Sequence, residues 1–478
     1  MTNGVTDQQD LYVLSPSSSQ SHYVYNNQSV AYEIRKESIN IKGQSTPKEI
    51  TIRSSRWGPV INQVFTELTN LPPVSLRWTG LLDNDTSMET FNCHWRATSW
   101  SGFTDCFKYL SGPSMNNLYA DKNKNIGYFI GGKIPLRRKG HSGLVAVNGD
   151  DDRADYMGYS PREGLYKVLN PDDMDYIVTA NNKAAPDGVR HSTGIDYAVH
   201  FRSTRVNQLL QQQIKSGKKF DVSDVKSIQL DVHSVYFDLL NQHVIPKMKL
   251  YVAADQELND HVQSLQEWNG DMTMDSKQAT LFEFWIRELS SLAGNEIGAD
   301  YIYANNHMYF TLDIMIKNST DVVCKNLGVN SCIEAAVKCL QRAVSKIKSV
   351  HGDIPQWGKV HTIVLPHSIL DNTALKCMAS DSIASGGGTE TVNVADVSGV
   401  DEGSATMTSN KAPNFRFLMD MSEDYKDSFM FDLGQDGNML SAEYSENLQK
   451  WRDGDYFDVN QDESGITSWR YSMTFVPK

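Results

Sequence analysis

Residues 116–140 read NNLYADKNKNIGYFIGGKIPLRRKG, and that pattern commits this part of the chain to a tight antiparallel hairpin. Two apolar runs flank the polar residues 121–125, which predicts strand, turn, strand. Gly127, Gly131, Gly132 and Pro135 limit how far the second strand can extend. A further short strand is predicted over residues 176–179 from their β-branched and aromatic content, and it ends in two adjacent amides, Asn181 and Asn182. An amide there can cap a turn or aim a donor at a reacting oxygen. Periodicity favours the turn.

The order of these pieces resembles the β chain of the penicillin acylase family, N-terminal-nucleophile hydrolases that cleave linear amides. The resemblance runs through Asn116, residues 119–121, residues 124–128 (with Lys124 where the family has Gly), residues 132–135, Arg137 and residues 177–182. It implies an α+β fold, the four-layer αββα sandwich of N-terminal-nucleophile hydrolases with helical insertions, here lacking its first strand. The organisation expected is a β-rich first part over 1–205, a helical insertion over 206–356, and strands with a helix over 357–478 that complete the core.

Near the start, TNGVTDQQDLYV places Asp7 and Asp10 three apart, just before an apolar strand. With the Gln9 carbonyl they form an oxygen set of the kind hard cations take; a solvated acidic turn is the plainer reading of the residues alone. The string resembles the family's Thr-Asn-x-x-x-Asp-x-x-Asp-Leu-Tyr segment. By that resemblance the Asn3 backbone N–H is half of an oxyanion hole, with the Asn181 side-chain amide as the other half. One structural calcium ion is then expected on Asp7, Gln9 (through its carbonyl) and Asp10. Gly143 and Asp196 complete that set at a spacing that departs from the family's. Arg202 matches a family arginine that braces the oxyanion amide; a surface or capping arginine is the alternative.

The nucleophile implied by the family is an N-terminal Ser, Cys or Thr whose own α-amino group is the base. It lies upstream of the segment that begins this chain, as do the family's α chain and first β segment. Thr2 sits beside the oxyanion position, where a nucleophile would be wrong in place and direction, so the chain alone is expected to be inactive. A truncated gene would carry an in-frame Ser, Cys or Thr upstream, and a non-catalytic binding or scaffold relative would not.

Composition narrows the partners. Forty-five basic against 58 acidic residues leave a net charge of -13, which argues against nucleic acid or an anionic membrane. No run approaches the roughly 18 apolar residues of a membrane span, and the N-terminus lacks a basic and apolar signal region. The compartment stays open. The partner expected is a small-molecule amide substrate, together with the missing chain segments. Six cysteines, at 93, 106, 324, 332, 339 and 377, form no CxxC pair or zinc spacing and are expected to be reduced core thiols.

The remaining pieces read structurally. Trp57 stands where the family has His, and residues 98–110 read as a helix whose opening Thr98-Ser99-Trp100-Ser101 offers capping hydroxyls. Apolar residues recurring at three and four predict one amphipathic helix over 221–244 and others over 281–292 and 333–347. The glycine-rich residues 386–393 lack the Lys-Ser/Thr of a phosphate loop. Residues 414–420 and 428–432 alternate like paired strands, and 441–451 reads as a serine-capped helix with Glu443 where the family has His.

Overall fold

In a computed structural model of the chain, the structure describes residues 2–161, 165–170, 175–187, 194, 197–297, 315–316, 324, 328–376, 381–421, 427–459 and 473–476. Two compact units divide at Ala198 and Val199. The helices of 199–352 and the strands that follow them belong to the second unit together. No helix among the described residues is long and apolar enough to cross a membrane.

Four small sheets lie in the described residues of the first unit, and two of them position the site. In one, Thr2–Asn3 is the edge strand, followed in space by Met115–Ala120, Ile126–Gly131 and Lys167–Leu169. The central pair is the hairpin expected from its polar turn: Asp121 Oδ1 accepts from the N–H groups of Asn123 (2.8 Å) and Asn125 (3.1 Å). Lys124 there takes a φ of 66°, where the family glycine would be unstrained. In the other sheet Gln9–Val13 lies parallel to Val147–Asn148 and antiparallel to Val74–Trp78. Trp57 is core here. It stacks on Tyr12 with ring centroids 4.1 Å apart, and its Nε1 donates to Gly149 O at 2.8 Å.

Two expectations fail in this unit. Residues 176–179 join no sheet. The cysteines at 93 and 106 form a disulfide rather than remaining thiols, joining the helix Ser87–His94 to the end of the helix Trp100–Asp105, which Ser99 caps through Gly102 N–H. In the second unit Cys324 pairs with Cys332, which leaves Cys339, among the described residues, as a buried thiol; Cys377 lies outside them. Spacing along the chain carries no information on either pairing.

The second unit packs on two cores. In the larger, Phe237, Leu240, Trp285, Leu340, Ile347, Trp357 and Val360 from helices meet Met407 from a strand; the smaller gathers Ile363, Ile383, Met430 and Trp451. The helix expected over 221–244 is two helices, Val222–Gln229 and Val235–His243. Polar residues between them break the run. Asp231 Oδ1 accepts from His233 N–H at 3.2 Å, and Ser234 Oγ accepts from Phe237 N–H at 3.1 Å to start the second helix. The helix expected over 441–451 is confined to Leu448–Asp453, because Ser441 caps Glu443 N–H in a separate turn.

Glu283, on the helix Lys277–Ile297, is 1% exposed, and its Oε1 accepts from Thr389 Oγ1 at 2.8 Å. Among the described residues its Oε2 has no partner. Burial raises its pKa from 4.5 to about 7, opposed by the Thr389 hydroxyl. Between those two values the folded protein holds a proton that the unfolded chain has released, so stability falls as pH rises from about 4.5 to about 7. The full loss is about 3 kcal/mol. Urea midpoints at pH 5 and pH 7.5 are expected to show that fall, and Glu283→Gln to flatten it; an unchanged slope in the variant would remove Glu283 as its source.

Candidate active site

The site is assembled from the first ten residues and a turn 170 residues later. Gly4 N–H donates to Ser114 O at 2.9 Å, so Asn3 faces Met115 as a non-hydrogen-bonded pair. Antiparallel alternation then turns the N–H and C=O of Asn3 away from the Met115–Ala120 strand, off the open edge of the sheet. Asn181 arrives at that edge. Its Nδ2 donates to Asn3 O at 2.8 Å. A primary amide has two N–H donors, and this bond engages one of them.

Asn181 takes a φ of 66°, a conformation Asn tolerates better than most residues. The second amide does something else: Asn182 Oδ1 accepts from Ala180 N–H at 3.0 Å and closes the turn. Asn182 caps, and Asn181 reaches across the chain.

Behind Asn3 stands a polar brace for which the sequence offered no sign. Asn116 Nδ2 also donates to Asn3 O, at 3.1 Å, and the Tyr128 hydroxyl donates to Asn116 Oδ1 at 2.7 Å. Both are 2% exposed, and burial holds the Tyr128 phenol well above its usual pKa, so it stays a donor. Gln8 fixes the far end of the segment. Its Nε2 donates to Ser111 O (3.0 Å) and Lys133 O (2.8 Å), while its Oε1 accepts from Ser114 N–H at 2.7 Å. At Gly4 a side chain would press on Ser114, with a Cβ 2.9 Å from its Oγ.

The residues matched to a calcium site gather around Arg137. Its Nε donates to Asp10 Oδ2 at 2.8 Å, and its Nη2 lies 3.0 Å from Asp7 Oδ1 and 3.4 Å from Gln9 O. Asp7 Oδ2 lies so close to Gly143 that an added Cβ would collide with it. Asp196 lies outside the described residues. Two carboxylates share one guanidinium. Burial raises the Asp7 pKa, Arg137 opposes this, and the neighbouring Asp10 adds to it. That balance, with the Gly143 backbone against Asp7, fits a further cation. Among the described residues there is no cluster of three or more His, Cys, Asp or Glu poised for a metal, so an ion here would depend on carbonyl oxygens as well. A cavity of about 640 Å³ borders Asp7, Asp10, Ile61, Phe65 and Leu144, but neither Asn3 nor Asn181 lines it.

Arg202 begins the helix Phe201–Ser216 of the second unit. Its Nε donates to Glu390 Oε2 at 2.9 Å, and the Glu390 side chain is fully buried. Burial raises the Glu390 pKa while the Arg202 guanidinium opposes it.

A family model described as penicillin amidase matches residues 1–468. The chain belongs to the penicillin amidase family. Within that family of amide hydrolases, it is 23% identical over 526 residues to the acyl-homoserine lactone acylase QuiP of Pseudomonas syringae pv. tomato, covering 99% of this chain and 60% of that protein. With the QuiP of Pseudomonas aeruginosa the identity is 24% over 515 residues, covering 95% of this chain and 58% of that protein. Penicillin G acylase of Escherichia coli is 29% identical over 188 residues, 39% of this chain and 21% of that protein. The chain thus spans about 60% of the length of the QuiP relatives it matches. Among solved structures, the thermostable penicillin G acylase of Alcaligenes faecalis aligns with a TM-score of 0.75 at 18% identity, covering 99% of this chain and 87% of that one. The fold is therefore the α+β fold of N-terminal-nucleophile hydrolases in this penicillin amidase relative.

Proposed function

We propose that these residues supply the oxyanion-binding part of a penicillin amidase-type enzyme, which hydrolyses a linear amide of a small molecule through an acyl-enzyme. The observation that carries this reading is the 2.8 Å contact of the Asn181 amide with Asn3 O, at the sheet edge toward which the Asn3 N–H also turns. In this reading a Ser, Cys or Thr at a processed N-terminus attacks the amide carbonyl, and its proton passes to its own α-amino group. Negative charge then develops on the carbonyl oxygen, where the Asn3 N–H and the Asn181 amide donate. Collapse breaks the C–N bond, and the amine leaves with that proton. Water then attacks the acyl-enzyme in the same polar cup and releases the acid.

The nucleophile is assigned to a segment other than residues 1–478. Thr2 pairs with Asn116 in the ladder, which commits its main-chain nitrogen and denies it a free amine base. Arg202 is assigned a positioning role. Asp7, Gln9 O, Asp10 and Gly143 are assigned to a calcium ion, which would supply structural positive charge and no chemical step. The names of the relatives support acylated amines such as acyl-homoserine lactones or penicillin G as the substrate class.

The test uses residues 1–478, with and without Thr2→Ala, against a chromogenic phenylacetyl amide. No turnover is expected from either. Turnover by the wild-type chain that Thr2→Ala abolishes would overturn the assignment. Co-expression with a nucleophile-bearing segment is expected to give turnover; its failure would favour a binding or scaffold protein.

A further inference from the structure

Residues 33–39 read EIRKESI, with no proline or glycine to interrupt a strand. In the first unit they form the strand Glu33–Ile39, paired antiparallel with Lys48–Ser55, which pairs in turn with Gly58–Pro59. Glu33–Ile39 is thus the edge of its sheet, and every one of its residues is exposed. The register runs from Glu33 opposite Ser54 to Ile39 opposite Lys48 without a bulge. A regular, uncovered edge of this kind is a template for another strand.

Two bonds fix which backbone groups face outward. Val60 N–H donates to Arg53 O at 2.8 Å, so Arg53 turns its main-chain groups away from Ile34, its cross-strand neighbour. Ile34 and Arg53 are therefore a non-hydrogen-bonded pair, and the N–H and C=O of Ile34, Lys36 and Ser38 point off the edge. Tyr32 N–H follows the same alternation and donates to Ser21 O at 3.0 Å, which closes the edge at that end. From Ile34 to Ser38 no described backbone group takes up these donors and acceptors.

Charge then selects the partner and the register. Arg35 and Glu37 flank Lys36 with opposite sign, a pattern complementary to itself when the strand is reversed. Centred on Lys36, an antiparallel pair of these edges sets Ile34 opposite Ser38 of the second copy, so outward-facing groups meet one another. Arg35 then falls opposite Glu37 on both sides of the two-fold axis, at the close, non-hydrogen-bonded positions of the new ladder. Centring the pair on Arg35 or on Glu37 would set like charges opposite each other, which is destabilising. Arg35 and Glu37 already share a face, with Arg35 Nε 3.1 Å from Glu37 Oε1. Lys36 meets its own copy on the other face, a repulsion that weakens the pairing without changing its register.

We propose that residues 1–478 form a two-fold dimer in which the Glu33–Ile39 edges of two copies pair antiparallel about Lys36, Arg35 of each copy facing Glu37 of the other.

Sedimentation equilibrium of the full chain tests it. A strand-edge interface is small, so the dimer is a weak one, read across a concentration series. Arg35→Glu is expected to weaken it at least about fivefold, and Arg35→Glu combined with Glu37→Arg to restore it. Both residues are exposed, so neither change threatens the fold. Lys36→Cys is expected to give a disulfide-linked dimer under mild oxidation, because residues opposed in a hydrogen-bonded pair lie about 5.5 Å apart at Cα. Thr51→Cys, opposite Lys36 on the inner strand, is the control and is expected not to cross-link. A monomer at every concentration would overturn the proposal. So would a dimer that Arg35→Glu leaves unchanged, or the absence of a cross-link at Lys36→Cys.

Discussion

If the proposed amide hydrolysis holds, Asn181→Ala is expected to lower its kcat by about two to three orders of magnitude, with a much smaller change in KM. The asymmetry follows from when the amide acts. A donor aimed at the position of the tetrahedral oxygen gains strength as negative charge develops, whereas a ground-state carbonyl asks little of it. Asn3 O holds the Asn181 Nδ2 at 2.8 Å, so the donor is oriented before substrate arrives and reorganises little during the reaction. Asn182→Ala is the control. Its side chain closes the turn through Ala180 N–H, and its loss should affect stability more than kcat. Steady-state kinetics on a chromogenic amide measure both, and an Asn181→Ala enzyme within threefold of wild type would remove the residue from the oxyanion hole.

Arg137→Ala is expected to cost about 3–5 kcal/mol of stability at neutral pH. The Asp10 side chain is 1% exposed and the Asp7 side chain 21%, so removing the guanidinium leaves a buried carboxylate without its partner. Arg137→Lys should recover only part of the loss, because one ammonium cannot span the two carboxylates as a planar fork does. Denaturant midpoints give the magnitude. In the Arg137→Ala protein, millimolar calcium is expected to restore part of the loss and a chelator to remove that gain. A loss below about 1 kcal/mol would place the cluster among weak surface ion pairs.

Local pattern was enough where the physics is local. The 115–131 hairpin was legible because a polar turn between two apolar runs leaves the backbone few choices, and capping at residues 98–101 was legible as a local pattern, though not which hydroxyl makes it. Residues 176–179 have strand composition, yet no strand lies beside them, and a partner cannot be read from one segment. The break at 231–234 was hidden because the apolar period continues through it, while Asp231 and Ser234 act through side-chain bonds, to Arg205 and His233 N–H and to Phe237 N–H, that leave no mark on the period. Asn3 and Asn181 came from the order of motifs and not from periodicity. The Tyr128–Asn116 brace and the Arg137 hub were invisible as such: each joins residues more than ten or a hundred positions apart, and only the folded register brings them together.

Gln8 ties two separate segments, at Ser111–Ser114 and at Lys133, to a stretch that also carries Asn3 and Asp10. The donor proposed at Asn3 and the Arg137 cluster are therefore two ends of one short ruler. Engineers who retune charge at Asp7 or Asp10 to harden this protein should find the position of Asn3 drifting with it. Moving one mark shifts the other.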